Sequence, residues 1–139
     1  MAGQSPGYSG TTLIRKLGIK PGMKLMVLNG PSDYFSWLEE DVRAQLCKTI
    51  ERPDWLHIFV ADSKALGKGM KQIVQYAKAN PQLIAWVSWY KKSSGITTDI
   101  TEDTIRDMAL AAGLVDVKVC AVTHEWSALK LVVPLAKRL

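Results

Sequence analysis

Leu83-Ile84-Ala85-Trp86-Val87-Ser88-Trp89-Tyr90-Lys91-Lys92-Ser93-Ser94-Gly95 is an apolar run that breaks abruptly into two cations, two hydroxyls and a glycine. A run this short, bounded by Asn80-Pro81 before it and by a polar cluster after it, predicts a strand buried on both faces. Such strands sit in sheets flanked by helices, where ligands gather at the carboxyl ends of parallel strands. The loop after Tyr90 is therefore the first candidate site. Read for function, it is an anion or phosphate cradle, with Lys91 and Lys92 as charges and Ser93, Ser94 and the Gly95 backbone as donors. Read for structure alone, it is a solvated loop whose serines form local turns and whose glycine supplies a positive φ. It is not a Walker loop, because the order is reversed and the Gly-x4-Gly-Lys spacing is missing.

Outward from this strand, two similar runs precede it, at residues 24–28 and 55–61. Two more follow, at 115–122 and 126–134, joined by a short Thr-His-Glu turn that predicts an antiparallel hairpin. Helical signals alternate with them. Thr11 or Thr12 caps a short helix over 13–17 that Gly18 ends. Ser32 is placed to cap a helix over 33–47, whose stripe is Phe35, Leu38, Val42 and Leu46. Gly67 and Gly69 weaken the segment after the second strand, so the next helix is expected over 70–79, with Met70, Ile73, Val74 and Ala77 inward. Asp99 and Glu102 read as a capping box for a last helix that buries Ile105, Met108, Ala109 and Ala112 before Gly113. The order α-β-α-β-α-β-α-β-β predicts an α/β fold. It is a single three-layer Rossmann-like domain over 11–139, with a mostly parallel five-stranded sheet, a C-terminal antiparallel hairpin and a flexible N-terminus over 1–10. Three strands in simple order would put every right-handed crossover on one face. Either the strand order reverses somewhere, or a second copy covers the other face, and a homodimer is expected.

The 139 residues carry a formal charge of +5 with 47% hydrophobic side chains, so a real core is expected and disorder is not. The stretch from Ser63 to Thr98 holds six lysines and no carboxylate. That is either a solubilising set or an electrostatic footprint. Cys47 and Cys120 are too few for a disulfide framework and are read as buried free thiols of a reducing compartment. With no apolar leader and no run long enough to span a membrane, the chain is expected in the cytoplasm, away from membranes.

Three strand-end loops converge on one rim: Asn29 and Gly30 after the first strand, Asp62, Ser63 and Lys64 after the second, and residues 91–95 after the third. His57 lies inside an apolar strand and reads as a core residue, and His124 reads as a solvent-facing turn residue. Neither has metal-ligand spacing, so no metal is expected. Trp86 and Trp89 face opposite sides of their strand. With no nucleic-acid motif, nucleic acid is not an expected partner.

The layout resembles the class I, S-adenosylmethionine-dependent methyltransferase fold with its middle removed. Residues 20–30 look like that fold's first strand and cofactor loop, 54–62 its fourth strand, 83–89 its fifth and 115–134 its closing hairpin. The second and third strands, which carry the acid that holds the cofactor ribose, have no counterpart. The Gly-x-Gly-x-Gly turn is reduced to Leu28-Asn29-Gly30-Pro31-Ser32. Nearly the whole chain is also similar to a family of short bacterial proteins of unknown function. Lys16-Leu-Gly-Ile-Lys-Pro-Gly22, Trp86-Val-Ser-Trp89, Lys91-Lys-Ser-Ser-Gly95 and Thr98-Asp-Ile-Thr-Glu102 carry that likeness, as does the run from Gly113 to Val122. The leading expectation is a non-catalytic Rossmann-like protein that binds an anionic small molecule or partner at the loop from Lys91 to Gly95. The alternatives are a methyltransferase with a reduced cofactor site and a structural or interaction module.

Overall fold

The computed structural model describes residues 11–48 and 51–138, and the loose segment expected over residues 1–10 lies outside them. Its elements are α1 (Leu13–Leu17), β1 (Leu25–Leu28), β2 (Trp55–Phe59), α2 (Ser63–Ala79), β3 (Ile84–Tyr90), α3 (Glu102–Ala111), β4 (Val115–Ala121) and β5 (Trp126–Val132). The strands form one sheet in the order β1-β2-β3-β5-β4. β1–β2 and β2–β3 pair parallel, whereas β3–β5 and β4–β5 pair antiparallel. The sheet is therefore mixed where the sequence predicts a mostly parallel one, with β5 alone running against the other four. The C-terminal hairpin forms, but its last strand takes the interior place. Burial explains this: Trp126, Ala128, Leu129 and Leu131 of β5 are buried, while Val117, Lys118 and Val119 of β4 are exposed. The strand that is apolar on both faces goes inside.

One face of the sheet is covered by α2 and α3. Leu66, Met70, Ile73 and Ala77 of α2 and Ile105 and Ala109 of α3 pack on Leu56, Ile58, Ala85, Val87, Leu129 and Leu131. α2 begins at Ser63, a full two turns earlier than its glycines suggest. A Cβ at Gly69 would lie 2.7 Å from Ile58 Cδ1, so that glycine lets the helix settle closely on β2. Asp62 caps it, accepting from the Ala65 N–H at 2.8 Å. α3 is capped by Thr101 and Thr104 in a reciprocal box, in place of the expected Asp99 and Glu102.

The other face is covered by the chain itself. Leu13 and Leu17 of α1, with Ile19, Tyr34, Leu38 and Val42, pack on Trp55, Phe59, Trp86, Trp126 and Ala128. The helix expected over 33–47 forms only two 3-10 turns, Tyr34–Trp37 and Arg43–Gln45. The inward stripe survives in Leu38 and Val42, but tertiary ties replace the helix ladder. The Glu39 carboxylate accepts from the N–H groups of Leu13 and Ile14 at 3.1 and 3.0 Å. Leu46 leaves to form a parallel bridge with Leu25, closed by the Cys47 N–H on the Leu25 carbonyl at 2.7 Å. The Lys24 carbonyl faces β2 instead, accepting from the Trp55 N–H at 3.2 Å. Consecutive strand carbonyls point to opposite edges, so the bridge lies outside β1. The chain thus steps off one side of β1 before returning to β2. Steps in opposite directions send right-handed connections to opposite faces. The named strands β1, β2 and β3 keep their chain order, and the cover on this face comes from the chain's own segment between β1 and β2 together with α1.

α1 is only five residues long and cannot hold itself together. Its last carbonyl, on Leu17, accepts from the indole N–H of Trp55 at 2.7 Å and of Trp86 at 2.8 Å. Both tryptophans are fully buried, and both lone pairs of that oxygen are in use. Replacing either Trp55 or Trp86 by Phe leaves the oxygen one donor and is expected to cost about 1 kcal/mol beyond lost packing. The double replacement leaves a buried carbonyl bare. Urea unfolding should show it exceeding the sum of the single losses by about 1 kcal/mol.

Candidate functional site

The loops after β1, β2 and β3 leave the sheet on one rim because these three strands are parallel. The structure draws two of them together. On its way to α3, the segment after β3 crosses the end of β2. There the Thr98 hydroxyl donates to the Ala61 carbonyl at 2.8 Å. The Asp99 carboxylate accepts from the Ser63 N–H at 2.8 Å and from the Ser63 hydroxyl at 2.5 Å. Those hydrogen bonds hold Asp99 ionised, below the usual carboxylate range. Asp62 and Ser63 are thus engaged at the start of α2, one as its cap and the other by Asp99. The loop after β1 lies beside the end of β2, where a Cβ on Gly30 would be 3.8 Å from Phe59 Cε1, and two strand spacings, roughly 10 Å, from β3. Among the described residues no hydrogen bond joins residues 29–33 to residues 91–95. Asn29 is left-handed, at φ 58°. A Cβ on Gly30 would lie 2.7 Å from Val27 Cγ1, so the glycine serves the turn itself.

The dibasic pair is divided. Residues 92–94 make one 3-10 turn, ended by Gly95 at φ 76°. The Ser94 hydroxyl donates to the Lys91 carbonyl at 2.6 Å and accepts from the Ile96 N–H at 3.1 Å, a local turn of the structural kind. Ser93 is exposed in the same turn. Lys91 is half-buried, and burial together with the charge of Lys16 lowers its pKa. It belongs to the α1 side of the sheet. Lys92 lies on the other side, in a cleft of about 510 Å³. The cleft is lined by Trp89, Tyr90, Lys92, Gly95 and Ile96, by Thr97, Thr98, Ile100 and Thr101, and by Glu102 at the start of α3, but not by Ser93 or Ser94. The threonines are not among the residues singled out from the sequence. Their signal was the spacing of Thr97, Thr98 and Thr101 directly after the serine turn. Lys64, Lys68, Lys71 and Lys78 are exposed along α2.

One cation, Lys92, and one acid, Glu102, line the cleft. Glu102 is ion-paired to Arg106, which also binds Asp103 and Asp116. Lys92 has no ion-pair partner among the described residues. An anion entering here meets an exposed ammonium group, hydroxyls and an acid tied to an arginine that it shares with Asp103 and Asp116.

His57 is fully buried in the second layer. Its Nδ1 is 2.9 Å from the Tyr34 hydroxyl and its Nε2 is 2.7 Å from the Ser88 hydroxyl. Phe59 stacks on the ring at 4.4 Å between centroids. Burial pushes Tyr34 up, while it holds the imidazole neutral, with a pKa near 3. This chain of three polar groups is satisfied within the core. His124 is exposed, Trp86 and Trp89 pack into opposite layers, and Cys47 and Cys120 are free and half-buried, less enclosed than the sequence implies. Among the described residues no three His, Cys, Asp or Glu side chains gather as a metal site, and no helix is long and apolar enough to cross a membrane.

No protein-family model and no curated protein matches the chain. Among solved structures it is similar to a protein of the NADB-Rossmann superfamily from Streptococcus agalactiae. The identity is 10% and the TM-score 0.45, over 91% of this chain and 70% of that one. It is also similar to LepI, solved in complex with SAM, at 14% identity and TM-score 0.44, over 88% of this chain and 39% of that one. The chain therefore spans less than half of LepI. The residues at the end of β1 do not fit S-adenosylmethionine in the manner of the methyltransferase fold. Val27 closes the space over Gly30 and Pro31 removes a donor.

The neutral His57 predicts an acid limb to stability. Its folded pKa, near 3, lies below the ordinary 6.5. Between those values the unfolded chain binds the extra proton, so stability is full above pH 6.5 and falls as pH drops. The slope should reach about 1.4 kcal/mol per pH unit. Urea unfolding between about pH 6.5 and 5 is expected to show it, and His57→Gln to flatten it.

Proposed function

We propose that this is a non-catalytic Rossmann-like binding protein that takes an anionic small molecule in the cleft at the carboxyl end of β3. Lys92 supplies the charge and Thr97 a hydroxyl at the mouth, while Thr98 and Thr101 hold the wall in place through Ala61 and Thr104. One observation carries the reading: the base lining the cleft has no ion-pair partner among the described residues, while its acid is held by Arg106. The lining contains no histidine, cysteine or unpaired carboxylate to act as nucleophile or general base. On this reading the protein binds its ligand and releases it unchanged.

Isothermal titration with inorganic phosphate, pyrophosphate and a nucleoside diphosphate tests this. Lys92→Ala is expected to weaken the tightest of them at least tenfold, about 1.4 kcal/mol. Lys91→Ala, on the far side of the sheet, should leave it unchanged. Absence of binding at millimolar anion, or equal losses in the two variants, would refute the assignment.

The methyltransferase alternative makes a separate forecast. On the reading preferred here, S-adenosylmethionine at millimolar concentration gives no thermal protection. A rise in Tm of several degrees with that compound would favour the enzyme.

A further inference from the structure

The outer surface of the two-helix layer carries charges sorted by helix. On α2, Lys64, Lys68, Lys71 and Lys78 are exposed at helical spacing and form one basic stripe facing away from the sheet. On α3, Asp103, Asp107 and Leu110 form the corresponding stripe, acidic and then apolar, with Leu110 52% exposed. Each helix links the end of one strand to the start of a parallel one, so the two run in the same direction. Met70 and Met108 line one groove of about 550 Å³ between them, which fixes their relative level. Counted back from these methionines, Lys64 is level with Asp103 and Lys68 with Asp107, each to within about one residue or 1.5 Å. The two rows therefore have the same spacing at the same height. Among the described residues, no ion pair joins them within one copy. Asp103 touches Arg106 of its own helix, yet its side chain stays 85% exposed.

We infer that this helical face pairs with the same face of a second copy, α2 of each lying on α3 of the other. The two-fold axis runs along the helices, midway between them. Such an axis exchanges the helices and keeps their levels, so Lys64 and Lys68 of one copy meet Asp103 and Asp107 of the second, and each pairing is made twice. An axis across the helices would set α2 on α2 and oppose lysines to lysines, which the charge pattern disfavours. At the axis the two grooves face each other with Met70 and Met108, and Gly67 and Ala111 lack the bulk to hold the helices apart. Lys71 falls at the level of Leu110, where its aliphatic stem covers that side chain. An acidic peptide or a nucleic acid would be drawn to α2 and repelled by α3, and a basic partner would meet the reverse. A surface carrying both rows at one spacing satisfies both, and this chain supplies it. The face is small. Helices of 17 and 10 residues, about 25 and 15 Å long and about 10 Å wide, offer roughly 400 Å² a copy. About 800 Å² in all belongs to weak, reversible association. The interface lies on the helical side of the sheet and does not rest on the Lys92 cleft.

The test is sedimentation velocity of the full chain from about 10 μM to about 1 mM, at about 50 mM salt, where a weak dimer becomes populated. A reversible monomer–dimer equilibrium is expected, weakened at least about fivefold at roughly 500 mM salt. Lys64→Glu with Lys68→Glu, and separately Asp103→Lys with Asp107→Lys, should each weaken it more than about tenfold, since every pairing becomes one of like charges. An equimolar mixture of the two variants should dimerise again, because each reversed row then meets a row of opposite charge. That recovery also shows both variants to be folded. Lys92→Ala should leave the equilibrium unaltered. A monomer throughout, a dimer indifferent to both reversals, or a mixture that stays monomeric while both variants keep the wild-type circular dichroism would overturn the inference. Should either reversed variant fail to fold, the neutral Lys64→Gln with Lys68→Gln decides: weaker dimerisation upholds the interface and wild-type dimerisation overturns it. Polyglutamate or single-stranded DNA bound more tightly than a second copy, and released by Lys64→Glu with Lys68→Glu, would overturn it too, by giving α2 an anionic partner.

Discussion

The carbonyl oxygen of Leu17 receives two indole N–H groups, and one whole face of the sheet is organised about that atom. Helix termini leave carbonyls without partners, and a buried one must find them elsewhere. Here Trp55 and Trp86, on neighbouring strands, both supply them. A five-residue helix with no stability of its own is thereby fixed over the middle of the sheet. Glu39 closes the other end by accepting from the first N–H groups of α1, which draws residues 31–46 across the same surface. Helix, irregular cover and sheet are one hydrogen-bonded unit.

That unit explains the asymmetry of the molecule. One face has two ordinary amphipathic helices packed on aliphatic side chains. The other is aromatic and partly polar, with His57 held neutral between Tyr34 and Ser88 under Phe59. The layer continues over Trp126 and Ala128, while Lys130 and Lys118 stand side by side next to Trp86. The loops obey the same division. Asp99 and Thr98 draw the end of β3 over the end of β2 on the helical side, forming the cleft. Lys91 turns to the other side, so neighbouring lysines in the chain serve different surfaces.

Much of this was legible in the residues. The alternation of short apolar runs with capped helical segments specified the α/β class, the hairpin and the loop after Tyr90. Local rules failed where a distant group outcompeted a near one. Residues 33–47 carry a helical stripe, but Glu39 and Leu46 bind α1 and β1 and the ladder is abandoned. Gly69 looks like a helix breaker until Ile58 is placed beneath it. Asp99 has the spacing of a cap but faces Ser63 across the rim, and Thr101 caps in its place. That Lys118 and Lys130 stand opposite each other left no trace in the sequence, because strand register is set by pairings made only in the fold.

The sequence by itself determined which segments became strands and helices, since periodicity, caps and turn residues act within a few positions of one another. It also placed a polar, cationic loop at the end of the third strand. Tertiary structure alone decided the strand order, the cover on the second face, and which lysines share a surface. Those depend on pairings across tens of residues, where burial of both faces of β5 and the two hydrogen bonds to Leu17 outweigh any local preference.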